Sequence, residues 1–318
     1  MIFLRRATNP GYRPWLRETE GEIVMLRVLM VLVSLLFTTL SVRAAAEDGA
    51  PLTIAGARQY DIVSRINGQI YRLMVGSPEK TDPAVTYPVF YVLDGNENFG
   101  TAIAMARRLR GCCQVPPAVV VGIGYPTDDR GEISRRRAFD LTLSLSSTAN
   151  GVEYGGADAF LRVLEEEVKP FVAAHYRVNP DKQIIFGHSF AGLTALHAMF
   201  RNPNAFAVYN LSSPSIWWNG GEVLRDEAVF SERVREGGVR AGLLITVAGD
   251  ESPGMITAAS DLADRLVTLN PQNLDVVKWI FDGEIHGSVV SASVTSALRF
   301  SLPRFPEARP TLRHFLHC

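Results

Sequence analysis

Several things are scarce in this chain, and each scarcity removes a class of protein. It has 318 residues but only three cysteines, Cys112, Cys113 and the terminal Cys318. A disulfide framework is therefore excluded, and one bridge from the adjacent pair to Cys318 is the most the count allows. The cysteine spacing matches no zinc pattern and H-E-x-x-H is absent, so neither a metal nor another cofactor is expected. Net charge is −1, which gives no electrostatic reason for a polyanion partner. The basic clusters at 107–110 and 135–137 read as a solvated helix face and a loop, so no nucleic-acid partner is expected. There is no internal repeat, no low-complexity tract and no apolar run long enough to span a bilayer.

What is present begins with a processing segment. Arg27 supplies a short positive region, residues 28–40 are apolar, and Ala44-Ala45-Ala46 offers a small-residue cleavage site before Glu47. Residues 25–46 thus read as a signal peptide, and residues 1–24 as an upstream extension, with Met25 the alternative start. The expected product is exported to the periplasm, touches a membrane only through the signal before cleavage, and carries a single domain over 51–303. Residues 304–318 form a tail. At 47% hydrophobic the chain has ample material for a core.

Within that domain a β-hairpin comes first, signalled by Asn67-Gly68 as a type I′ turn. Apolar strands then alternate with amphipathic helices: "YPVFYVLDG", "PAVVVGIGY", "KQIIFG", "FAVYNL", "GLLITVAGD" and "DVVKWIFDG" are the strands. A long polar loop is expected over 126–154. Such alternation predicts an α/β fold, with a mostly parallel central sheet, an antiparallel N-terminal hairpin and helices on both faces. Sites in these sheets lie at the carboxyl ends of the strands.

At one such end stands "QIIFGHSFAGL". Gly187-His188-Ser189-Phe190-Ala191 has the shape of a G-x-S-x-G nucleophile elbow with Ala191 at the second glycine. Alone, the motif is equally a strand–helix turn that contains a serine. Its context, strand before and helix after, is what the elbow requires. A serine hydroxyl needs a base. Of six histidines, His175 ends a helix, His188 adjoins the serine, His197 lies on a helix face, and His314 and His317 belong to the tail. His286, between Gly283 and Gly287 after the last strand, is left as base. The acid should fall between the two in sequence, which favours Asp250, with Glu251 and Glu284 as alternatives. Oxyanion donors are expected from the N–H of Phe190 and of Gly95 or Asn96. Tyr125, Trp217 and Arg137 (or Arg130) are candidates to line the pocket for an acyl group.

The segments "YPVFYVLDGN", "GGADAFLRVLEEEVKPFVAAHYRV", "GHSFAGLTALHAMF", "SSPSIWW" and "FDGEIHGSVV", in that order, resemble the esterase D or enterochelin-esterase-like branch of the α/β-hydrolases. With the signal peptide, the likeness is greatest to periplasmic esterases that open siderophore trilactones. The resemblance implies an α/β-hydrolase fold, Ser189 as nucleophile, His286 as base, and Asn96 and Phe190 at the oxyanion hole. It also implies a small-molecule ester as partner. Some members work with a Ser-His dyad, which leaves the acid open. Feruloyl or acetyl ester hydrolysis, acyl transfer, or ligand binding without turnover on the same fold are the other readings.

Overall fold

A computed structural model describes residues 52–78, 82–113, 115–144 and 151–305, together with positions 21, 24, 25 and 27–32. The cleavage site at Ala46, nearly all of the expected tail, Cys318, His314 and His317 lie outside the described residues. Positions 27–32 are helical and exposed. Among the described residues no helix is long and apolar enough to cross a membrane.

From Ile54 onward the chain is one unit built on an eight-stranded sheet of order β1-β2-β4-β3-β5-β6-β7-β8. The strands are β1 (Ala57–Val63), β2 (Ile70–Gly76), β3 (Tyr87–Leu93), β4 (Val119–Gly124), β5 (Val178–His188), β6 (Val208–Ser212), β7 (Ala241–Ala248) and β8 (Leu274–Phe281). The first pair and the β2–β4 pair are antiparallel, and every other pair is parallel. The expected fold class is therefore observed. Strands covered on both faces read as unbroken apolar runs: every residue of β3 and of β4 is buried.

Two helices, α1 (Gly95–Cys113) and α7 (Val289–Ser301), cover one face. Their apolar residues, among them Phe99, Ile103, Val294 and Leu298, close a core over Phe90, Val120 and Phe186. The other face carries α3 (Ala157–Val163), α4 (Phe190–Arg201), α5 (Glu227–Arg235) and α6 (Pro253–Leu266). A π-helical turn, Leu164–Val168, joins α3 to a further helical segment, Lys169–His175.

Three expectations change. The hairpin connection is not a two-residue I′ turn: it spans 64–69, Asn67 keeps a negative φ, and its side chain donates to Tyr71 Oη at 2.9 Å. The polar loop over 126–154 contains α2 (Arg130–Asp140), capped by Asp129, whose carboxylate accepts the Glu132 N–H at 2.7 Å. Its three consecutive arginines concealed the helix. Finally, Cys112 is bonded to Cys113 at the end of α1, so the one bridge that the cysteine count allows lies within the adjacent pair.

Candidate active site

The strand ends collect the polar residues, and the backbone shows where. Four non-glycine residues have positive φ among the described residues, and three of them directly follow a strand: Asp94 (54°) after β3, Ser189 (60°) after β5, Ser213 (40°) after β6. Each such conformation costs on the order of 1–3 kcal/mol, so surrounding packing must hold it.

At Ser189 that packing is visible. Its N–H donates to Ser212 O (2.9 Å), and its carbonyl accepts the N–H groups of Leu193 (2.9 Å) and Ser215 (3.1 Å). The helix α4 turns so sharply that a Cβ on Gly187 would lie 2.1 Å from Ala191 O. The close approach is thus made by the Ala191 carbonyl, while its methyl joins the buried core. The second residue whose lack of a side chain is used is Gly192, where a Cβ would press on Pro214 and Gly187 O at 3.1–3.2 Å. Ala191 therefore does not disturb the elbow. Phe190 is the first residue of α4, and an N–H at that position has no acceptor within its helix.

His286 sits in the turn between β8 and α7, its side chain 43% exposed. Its Nδ1 lies 2.5 Å from Glu251 Oε1, and the Glu251 side chain is 1% exposed. The carboxylate that meets the imidazole is thus Glu251, an alternative from the sequence, and not the favoured Asp250. Asp250 is exposed, and its N–H is bonded to Glu284 O at 3.0 Å. Residues in sequence at a turn point in different directions, and here the second one turns inward. Glu284 accepts from Ser288 Oγ instead of meeting the imidazole. The His286 ring packs 4.5 Å from that of His188, which places it beside the elbow. Ser189 Oγ itself is 3.3 Å from Ser215 Oγ, and among the described residues it makes no hydrogen bond to His286.

His188, which the sequence shows only as the neighbour of Ser189, has a place of its own. It is buried, with Nδ1 3.1 Å from Ser212 Oγ, and the chain continues through Ser293 (2.9 Å) to Thr246 (2.8 Å). Burial first, then the charges of His286 and Arg137, push its pKa down to about 3. It stays neutral beside the exposed imidazole.

On the opposite side, Asn96 is the second residue of α1. Its side chain donates to Tyr125 O (2.9 Å) and Thr127 O (3.2 Å) and accepts from Tyr125 N (2.7 Å), so it clips the β3 turn to the β4 turn. Its backbone N–H belongs to the first helical turn, where such groups lack intrahelical acceptors. Arg137 is not free to meet a ligand through its whole fork. Its Nε donates to Asp94 (2.8 Å), Nη2 to His188 O (3.2 Å), and its guanidinium lies 5.5 Å from the Phe190 ring centre. Burial raises the pKa of Asp94, and Arg137 opposes that shift. Tyr125 is likewise spent on the interior: it is buried beneath Arg136, whose guanidinium is 4.5 Å from the ring centre. The two tryptophans diverge, Trp217 being 53% exposed near Phe190 and Trp218 buried against Phe190 and Tyr154.

A cavity of about 210 Å³ lies against Asp94, Asn96, Tyr125, Arg130 and Arg137. A larger one of about 440 Å³, lined by Asn67, Arg135 and Asp140 among others, touches none of Ser189, Glu251 and His286. Ser189, Glu251 and His286 follow the strand ends and not that larger cavity.

Comparison with known proteins gives a consistent set of likenesses. Residues 64–266 match the model of the Esterase family, described as "Putative esterase". The ferri-bacillibactin esterase of Bacillus subtilis is 33% identical over 262 residues, covering 79% of this chain and 91% of that protein. A siderophore triacetylfusarinine C esterase of Aspergillus fumigatus is 30% identical over 295 residues, covering 80% and 96%. Among solved structures, the BES protein from Bacillus cereus superposes with a TM-score of 0.75 at 33% identity, covering 80% of this chain and 99% of that one.

Proposed function

The chain belongs to the Esterase family, as an enterochelin-esterase-like α/β-hydrolase that cleaves carboxylic esters, and from that premise we propose that it is an exported serine esterase opening siderophore esters. The observation that carries the mechanism is the strained Ser189 at the elbow, with an imidazole anchored on a buried glutamate packed against the ring of the preceding His188. Ser189 Oγ attacks the ester carbonyl while its proton passes to Nε2 of His286. Glu251 accepts the Nδ1–H and stabilises the imidazolium. The carbonyl electron pair moves onto oxygen, which takes hydrogen bonds from the N–H groups of Phe190 and Asn96. Collapse expels the alcohol with the proton from His286. Water then repeats the sequence on the acyl-enzyme and restores the Ser189 hydroxyl.

The substrate class is supported by the two siderophore esterases that match this chain over most of their length. Trp217, exposed beside Phe190, and Arg130 on the adjoining cavity are suited to an aromatic, anionic acyl group. Export rests on the pattern of residues 25–46. The test is a panel of p-nitrophenyl acetate, a feruloyl ester and an iron-free trilactone, with wild type and Ser189→Ala. The expected result is preference for the trilactone and no turnover by the variant. Absence of turnover on all three by the wild type overturns the proposal. Intact mass of the processed protein should begin at Glu47.

A further inference from the structure

The nucleophile of a serine hydrolase is expected to hydrogen-bond its base, yet here its hydroxyl meets another hydroxyl. Ser215 is 2% exposed, and its Oγ stands 3.3 Å from Ser189 Oγ. That placement is built by the turn after β6. Ser213 takes a positive φ of 40°, its N–H donates to Thr246 O at 2.7 Å, and its Oγ accepts from Ala248 N at 3.3 Å. Pro214 then lies on Gly192 of α4, and the Ser215 N–H donates to Ser189 O at 3.1 Å. Ser215 is thus clamped to the elbow through its backbone, and its hydroxyl is aimed at the reacting oxygen.

We propose that Ser215 is a catalytic residue: its hydroxyl donates a hydrogen bond to Ser189 Oγ when that atom carries developing negative charge. The role rests on Ser189 being the nucleophile. In the resting enzyme the two hydroxyls share one hydrogen bond. When Ser189 turns its proton to His286, its Oγ becomes an acceptor, and the Ser215 O–H is already in place. As Oγ bonds the carbonyl carbon and its proton leaves for His286, Ser215 keeps its own proton. The same bond assists departure of Oγ from the acyl-enzyme, where the C–O bond breaks and His286 returns a proton. A neutral ester oxygen is a weaker acceptor than a charged one, so the contact is stronger in the transition state than before or after it.

Such a contact lowers kcat when removed and leaves KM alone. For full-length Ser215→Ala the expected result is a drop of about tenfold to a hundredfold in kcat on p-nitrophenyl acetate, with KM changed less than about twofold. The rate of fluorophosphonate labelling should fall in parallel. Ser215→Cys, of similar size and with a weak S–H donor, should fall between wild type and the alanine variant, and it carries the test if the alanine variant does not fold. Turnover and labelling at the wild-type rate or faster in these variants overturn the proposal. Ser189→Ala is the control that separates the two ideas. If it is inactive while Ser215→Ala is unimpaired, only the Ser215 role fails. If it remains active, the nucleophile assignment fails and the Ser215 role goes with it.

Discussion

The two halves of the site are built in opposite ways. The elbow is held by backbone: Ser189 has three main-chain hydrogen bonds, Gly187 is pressed on a helix carbonyl, and His188 is buried in a polar chain that reaches α7. The histidine turn has main-chain bonds of its own, such as Asp250 N–H to Glu284 O at 3.0 Å, but the imidazole it carries is hydrogen-bonded to one side chain. Asp282, Gly283, Ile285, Gly287 and Ser288 are exposed, and His286 meets the interior through Glu251 and the face of His188. Ser189 is thus fixed by main chain, whereas the His286 imidazole, 43% exposed, is oriented by a side chain. Ser189 Oγ meets Ser215 Oγ at 3.3 Å, and a direct bond from such a serine to its base often tightens only in the substrate complex.

Because the imidazole has this one hydrogen-bonded partner among the described residues, removing it should have the largest effect. Glu251→Gln should lower kcat by about 10²- to 10⁴-fold with unfolding temperature nearly unchanged, by analogy with loss of the third triad member elsewhere. Steady-state kinetics beside a melting curve check both halves of that statement. Gly187→Ala tests the other region and should show the reverse balance. Its Cβ would meet Ala191 O, so destabilisation of about 2–4 kcal/mol is expected in urea unfolding, with activity lost through the fold.

A pH comparison sharpens the role of burial. His188 has a folded pKa depressed to about 3. The unfolded chain therefore binds the extra proton first, and stability falls as pH drops below the unfolded histidine value near 6.5. Between pH 7 and 4.5, wild type should lose about 2 kcal/mol more than His188→Gln. Asp140 works in the opposite sense, because burial raises its pKa to about 6. It gains stability as pH falls toward 4, and it cancels because both proteins carry it. The smallest effect is expected at Asp250. Its side chain is exposed at the turn, so Asp250→Asn should change kcat by less than about twofold.

The pattern of buried strands was legible because parallel strands covered on both faces leave continuous apolar runs, and the strand-to-helix switch around Ser189 marks its own turn. His286 could be reached because the chain offers few histidines and only one between glycines after a late strand. The acid could not be separated from its neighbour: Asp250 and Glu251 share a spacing, and the direction each takes is set by the turn that pairs Gly249 with Phe281. Ser215 lies within "SSPSIWW", but nothing in that string assigns its hydroxyl a role. Its meaning comes from the positive φ at Ser213 and from Pro214 lying on Gly192, which are long-range facts. The helix α2 was hidden by its arginines, two of which are committed to internal partners: Arg136 to Ile70 O and Arg137 to Asp94.

The account stands on an activated Ser189. Treating wild type and Glu251→Gln with a fluorophosphonate and mapping the adduct by peptide mass tests it most directly. The account predicts one adduct, on Ser189, formed fast in wild type and much more slowly in the variant. No adduct, an adduct on another residue, or equal rates in the two proteins would contradict it.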